Sequence, residues 1–195
     1  EDGIMISAET CAQYLYFNAE EIPDGATIFK CAPPIREKQN NEQLKGALKS
    51  GILDFIATDH SPAPADLKEI ESGSFYKAWG GIAGVQFLLS ASWSSLSEIL
   101  SLNEFIPLLT ENPAKFLSLQ NKGKIEVDYD ADLVIWNPNM SFEVKEEDVL
   151  FKHKISPYIG KTLLGKIEET IVNGTTVFKN NHIEKTHLGK WLIQK

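Results

Sequence analysis

The sequence predicts an α/β protein: a parallel strand–helix–strand unit with its chemistry at one strand edge, followed by a smaller β region. Three observations predict it. The run Ile52-Leu-Asp-Phe-Ile-Ala-Thr58 is rich in branched and aromatic residues, and it stops abruptly at Asp59-His60-Ser61-Pro62. Such a run is too short for a helix and reads as a buried strand; a strand apolar on both faces suits a parallel sheet covered by helices. A looser alternation over 4–10 and helical spacing over 40–49 precede it. Strand, helix and strand with short joins imply parallel pairing. Near Asn121-Lys-Gly123 the texture changes to short strand-like runs.

In order, the first strand, 4–10, ends on Glu9-Thr-Cys11. Tyr14 to Phe17 is an aromatic patch that reads as packing, and Ile22-Pro-Asp-Gly25 is a turn. Pro33 and Pro34 make 30–36 an extended segment that cannot be an interior ladder strand. Leu44, Ala47 and Leu48 mark one face of a helix that Gly51 ends. A helix over 82–91 should begin at the glycines of Trp79-Gly-Gly-Ile-Ala-Gly84 and turn free N–H groups toward the strand edge. Short helices are expected over 97–102, 105–109 and 113–119, with Asn112 as cap and Pro113 at the first helical position. The β region reads as runs at 124–127, 131–136, 141–144, 167–172 and 175–178. Asn137-Pro-Asn139 and Asn173-Gly174 punctuate them, the second a strong hairpin signal.

Composition bounds the function. Nineteen basic against twenty-seven acidic residues leave a net charge of −8, which argues against a nucleic-acid or anionic-membrane surface. No apolar run approaches the roughly 18 residues of a membrane span, and no signal peptide is visible. Cys11 and Cys31 form no disulfide framework or zinc pattern and read as reduced core thiols of a cytosolic protein. The first residue is Glu1, not Met, which fits a piece of something longer.

Asp59 stands at the carboxyl end of its strand, the edge where barrels and open α/β sheets place chemistry. A carboxylate there binds a metal, takes a proton from water, or does both. The bland alternative is equally simple: Asp before Ser-Pro is good turn chemistry. The glycines at 80, 81 and 84 let backbone approach something closely, either a ligand or a packed strand, and they lack dinucleotide-binding spacing.

Seven words carry a resemblance: Glu9-Thr-Cys-Ala-Gln-Tyr-Leu15, Lys30-Cys-Ala-Pro-Pro-Ile-Arg36, Asp59-His-Ser-Pro62, Lys77-Ala-Trp-Gly-Gly-Ile-Ala-Gly84, Asn112-Pro-Ala114, Asp130-Ala-Asp-Leu-Val-Ile-Trp136 and His153-Lys-Ile-Ser-Pro-Tyr158. In this order they resemble the carboxyl-terminal half of the allantoinases, in the cyclic-amide, dihydroorotase-like branch of the amidohydrolase superfamily. Dihydropyrimidinases and hydantoinases resemble the early words and the Asp130-Ala-Asp segment, and they supply the alternative activity. A non-catalytic structural or assembly protein of the same fold is a further alternative.

The resemblance implies the carboxyl-terminal portion of a metal-dependent (β/α)8 TIM barrel over 1–122, then part of a small flanking β-sandwich domain and a tail over 123–195. The two strands would be barrel strands seven and eight. Asp59 would bind a divalent metal pair, zinc in this reading, and accept the proton of the attacking hydroxide. The metals would polarise the ring carbonyl and lower the water pKa toward about 7. Allantoin would open to allantoate, in ureide and purine catabolism. Ala32, where relatives often carry serine, would contact substrate through its backbone. Trp79, Gly80 and Gly81 would line the other side of the ring, and His60 would orient Asp59 or face the pocket. Gln13 stands where many allantoinases have histidine, while dihydropyrimidinases often share glutamine.

The family's other ligands are an HxH pair, a carboxylated lysine and two histidines, and none has a counterpart here. His153 is expected at the domain join; His182 and His187 lie in a polar tail. The implied partners are a small cyclic ureide, the missing amino-terminal half of the barrel, and further copies in a homo-oligomer, often a tetramer, in the cytoplasm. The 195-residue chain alone is expected to have little or no activity.

Overall fold

Parallel pairing joins β1 (Glu9–Cys11) to β2 (Phe55–Ala57), with Glu9 opposite Phe55 and Cys11 opposite Ala57. This computed structural model describes residues 6–185 and 188–192. Helix α1 (Ala12–Tyr16) follows β1 directly, and α2 (Lys38–Lys49) returns the chain to β2. The crossover is the strand–helix–strand unit expected from the sequence.

A buried asparagine ties the two helices together. Asn41 of α2 donates to the carbonyls of Tyr14, Leu15 and Phe17 at 2.9, 2.6 and 3.3 Å, satisfying the open carboxyl end of α1. Leaving those buried acceptors unpaired would cost about 1–3 kcal/mol.

The strands are shorter than expected. Ile52 is 71% exposed, because the chain first reverses at Gly51 (φ 72°) and the amides of Ile52 and Leu53 both bond to the carbonyl of Ala47. The first strand begins only at Glu9, and Ile6 is exposed; Ile4 and Met5 of the expected strand lie outside the described residues.

A 3-10 turn at Val85–Phe87 leads into α3 (Leu88–Leu96), so the helix expected over 82–91 starts later and runs further. The backbone of Gly81 and Ile82 is used instead in pairing with Lys30 and Ser61. Then come α4 (Leu102–Phe105), capped by a Ser101–Glu104 box, a 3-10 turn at Ile106–Leu108, and α5 (Glu111–Phe116). Thr110, not Asn112, precedes α5; the Asn112 side chain instead donates to the carbonyl of Asp54 at 2.7 Å.

The β region is one antiparallel sheet in the order β3 (Leu133–Glu143), β4 (Thr162–Val172), β5 (Thr175–Lys179), β6 (His182–Ile183). The β4–β5 hairpin turns at Asn173-Gly174 with φ of 48° and 72°, the left-handed pair that this dipeptide favours. Asn137-Pro-Asn139 does not end a strand; it sits inside β3 as a register irregularity against β4. The run 124–127 forms turns rather than a strand, leaving Ile125 and Val127 exposed.

Both cores mix residues from before and after 123. One packs Phe17, Ile82 and Phe87 against Val149, Tyr158 and Leu163; the other packs Trp93 and Phe105 with Trp136 and Leu164 alongside. Tyr14 and Tyr16 also pack against the first, as the aromatic patch leads one to expect. Each fully buried large side chain contributes roughly 1.5–3 kcal/mol.

One contact sets the site's geometry. A Cβ on Gly81 would lie 2.7 Å from the carbonyl oxygen of Ser61, 2.8 Å from its Cβ and 2.8 Å from the Trp79 indole nitrogen. A Cβ on Gly80 would meet nothing closer than 3.9 Å. Gly81→Ala should therefore destabilise the chain by about 1–3 kcal/mol, as overpacking against backbone does, while Gly80→Ala stays within about 0.5 kcal/mol. Denaturant melts of the two variants check this; equal losses would contradict the asymmetry.

Candidate active site

Three backbone segments converge at the carboxyl edge of β1 and β2. The first is the turn Asp59–Ser61 beyond β2. Asp59 has φ 43°, a left-handed conformation that Asp and Asn tolerate better than other side chains. The Ser61 hydroxyl holds that turn by donating to the Asp59 carbonyl at 2.6 Å. The Asp59 side chain is exposed, and nothing among the described residues hydrogen-bonds or ion-pairs to its carboxylate. The turn chemistry of this word is thus carried by Ser61 and the backbone, leaving the carboxylate available.

The second segment is Lys30–Ala32 and the third is Trp79–Gly81. The Gly81 amide donates to the Lys30 carbonyl at 2.9 Å, and Gly80 lies beside the Ala32 nitrogen. Gly81 packs directly on Ser61, with the half-exposed Trp79 indole over it. Asp59, Ala32, Trp79, Gly80 and Gly81 are thereby brought together. The packing reading of the glycines holds at Gly81, where a Cβ would clash, and not at Gly80, where it would meet nothing close.

His60 is differently engaged. Its Nδ1 accepts from the amides of Gly84 and Val85 at 3.2 and 3.3 Å, and its ring lies 4.8 Å from that of Phe151. The free N–H groups expected ahead of α3 are consumed in this way. Burial pushes the imidazole below its ordinary pKa, which matches a ring accepting at Nδ1 and carrying its proton on Nε2. His60 thus contacts the 151 segment, in which His153 is itself half-buried. His182 is exposed in β6, and His187 lies outside the described residues.

The thiols are inert. Burial, then the charges of Asp59, Glu9 and Cys31, push Cys11 up to about 12. Burial also raises Cys31, against hydrogen bonds from Tyr14 and the Ile35 amide and the charge of Lys68. Both are free, buried and protonated at neutral pH. Gln13 is 1% exposed within α1, so its difference from histidine falls in the core rather than at the exposed edge.

Sequence reasoning missed Lys68. It is 3% exposed and donates to the carbonyls of Lys30, Trp79 and Gly81 at 3.1, 3.2 and 2.9 Å. A lysine in a polar loop carries no pattern that announces burial.

Among the described residues no three His, Cys, Asp or Glu side chains gather closely enough to hold a metal ion. Asp59 offers one hard oxygen donor, which fits a divalent cation as a single ligand and falls short of a closed coordination set. Two hollows, of about 520 and 710 Å³, lie elsewhere; the larger is lined by residues such as Phe87, Phe142, Ile167 and Phe178. No described helix is long and apolar enough to cross a membrane.

The chain is 42% identical to a probable allantoinase of Oryza sativa, covering 100% of this chain and 39% of that protein. It is 44% identical to an allantoinase of Arabidopsis thaliana over 90% of this chain and 35% of that one. Among solved structures it superposes on an L-hydantoinase of Arthrobacter aurescens with TM-score 0.84 at 28% identity, and on a dihydropyrimidinase of Brevibacillus agri with TM-score 0.83 at 30% identity. Each match covers 91% of this chain and 40% of the other, so the chain spans about two fifths of the proteins it resembles. Residues 10–177 match the amidohydrolase family, and the chain belongs to that family.

Proposed function

We propose that this chain is part of an allantoinase-type hydrolase that opens the cyclic amide of allantoin to allantoate. In this reading residues 1–122 are the carboxyl-terminal part of a (β/α)8 barrel, and 123–195 are part of the flanking β-sandwich domain and a tail. The observation that supports it is the exposed Asp59, whose carboxylate has no hydrogen-bond or ion-pair partner among the described residues, in a turn whose Ser61 packs on Gly81, with Gly80 beside Ala32. Identity of 42–44% with allantoinases, against 28–30% with hydantoinase and dihydropyrimidinase structures, ranks allantoin first and hydantoin or dihydrouracil second.

Asp59 would serve as one ligand of a divalent metal pair, zinc in our reading, whose other ligands, a carboxylated lysine included, are not in this chain. When bound, such metals supply Lewis-acid polarisation and a water acidic enough to attack at neutral pH. Asp59 takes the proton of the attacking water and returns it to the departing ring nitrogen. Its left-handed backbone aims the carboxylate, and Ser61 fixes that backbone. Backbone groups of Ala32 and Gly80 orient the ring amide, with the Trp79 indole against its face. His60, which keeps only Nε2–H free, orients the Asp59 turn or meets the substrate through that proton.

Asp59→Asn suits the test because Asn tolerates the same left-handed conformation while losing basicity. In the active polypeptide that contains this chain, it should cut kcat for allantoin by about 10²–10⁴-fold with the fold intact by circular dichroism. Near-normal turnover would remove Asp59 from the chemistry. The chain by itself should release no allantoate in a panel of allantoin, dihydrouracil and hydantoin run with metal analysis. Turnover by the isolated 195 residues would show that one ligand from this sequence suffices.

A further inference from the structure

Lys68 is a buried cation that pairs with no carboxylate among the described residues. Its ammonium has three N–H donors, and each finds a backbone carbonyl: Lys30, Trp79 and Gly81. Burial pushes it down to about 8, Lys30 adding to the fall and Cys31 opposing it. The three carbonyl dipoles act the other way and favour the charged form. A second lysine works alongside: Lys30 Nζ donates to the carbonyls of Ala78 at 2.5 Å and Tyr76 at 3.5 Å. The main chain adds Trp79 N–H to Leu67 and Gly81 N–H to Lys30, at 2.7 and 2.9 Å.

Peptide geometry gives this grip a direction. In a planar trans peptide the N–H points opposite to the C=O. The only cis bond among the described residues is Ala32–Pro33, so the Trp79–Gly80 peptide is trans. With the Trp79 carbonyl drawn onto Lys68, the Gly80 N–H points away from Lys68. No group among the described residues accepts it. Gly80 lies beside Ala32, and its neighbour Gly81 packs on Ser61 of the Asp59 turn.

We propose that Lys68 is the positioning residue of this site, holding the Trp79 and Gly81 carbonyls so that the Gly80 amide is presented as a free donor to the substrate's ring carbonyl. This rests on the cyclic-amide reading for its ligand, but the anchoring of the loop stands on the geometry alone. A charged hydrogen-bond donor is what the position needs; an apolar side chain of equal length would fill the space and release the loop.

Hydrogen exchange on the 195-residue chain tests the anchoring. In Lys68→Met, the hydrogen-bonded amides of Trp79 and Gly81 should exchange at least about tenfold faster, the scale of a lost charged hydrogen bond, while α2 and α3 keep their protection. Lys68→Arg, which restores charge and donors, should recover most of it. Unchanged exchange in Lys68→Met, no recovery in Lys68→Arg, or loss of protection throughout α2 and α3 would each overturn the proposal, the last because Lys68 would then hold the fold rather than the loop. In the active polypeptide, Lys68→Met should lower kcat/KM for allantoin about tenfold or more, and Lys68→Arg should restore it. An unchanged kcat/KM overturns the positioning role. A wild type that hydrolyses no cyclic amide refutes the functional reading and leaves the exchange result to judge the loop.

Discussion

No side chain fits between Gly81 and Ser61, and the arrangement of the strand edge depends on that. The two backbones approach within van der Waals range because one of them has no Cβ. With Gly81 seated, its amide reaches Lys30, its carbonyl reaches Lys68, and the Ile82 carbonyl reaches the Ser61 amide at 3.0 Å. The turn carrying Asp59, the extended segment carrying Ala32 and the loop carrying Gly80 become one rigid unit. Beneath it, β1 and β2 contribute only three residues each. The precision of the edge therefore comes from polar loop contacts as much as from sheet pairing.

Two kinds of polar burial share the work. Asn41 closes the carboxyl end of α1 by sharing its two N–H groups among three carbonyls, and Lys68 closes the gap between two loops with three bonds. Each satisfies several backbone acceptors from one side chain, so each is costly to remove and narrow in what replaces it. Asn41 has neutral acceptors and a neutral donor. Lys68 carries a charge whose desolvation those acceptors offset, which is a stronger device for fixing direction than for adding net stability.

Much of this was legible in the residues. The parallel unit followed from periodicity and from the abrupt end at Asp59, and the hairpin from Asn173-Gly174, whose left-handed angles few other pairs adopt. The gathering of Ala32, Trp79, Gly80 and Gly81 was implied by the family resemblance, while the glycine spacing said only that backbone could come close there. What was not legible is physical in origin. Ile52 and Ile125 are apolar yet exposed, and composition does not say where a turn will spend a hydrophobic residue. Lys68 is charged yet buried, and only the three carbonyls brought to it by the fold explain why. His60 was read as orienting Asp59 or facing the pocket; that its Nδ1 would accept from the amides ahead of α3 was not legible, because only the fold brings those amides to it.

The division between side chain and backbone explains how family resemblance and residue identity come apart at this edge. Among the candidate groups, the role proposed for Asp59 needs its side chain: a proton acceptor must be a basic group, and here that is a carboxylate. The roles of Ala32 and Gly80 need only their peptide groups. In the proposed reading, a contact made by the Ala32 backbone would not depend on the identity of its side chain. Such positions tolerate substitution so long as the peptide planes keep their direction. What holds those planes lies beside them: the missing Cβ of Gly81, the hydroxyl of Ser61 and the ammonium of Lys68. A substrate contact written in main-chain atoms is visible in the sequence mainly through the side chains that aim it.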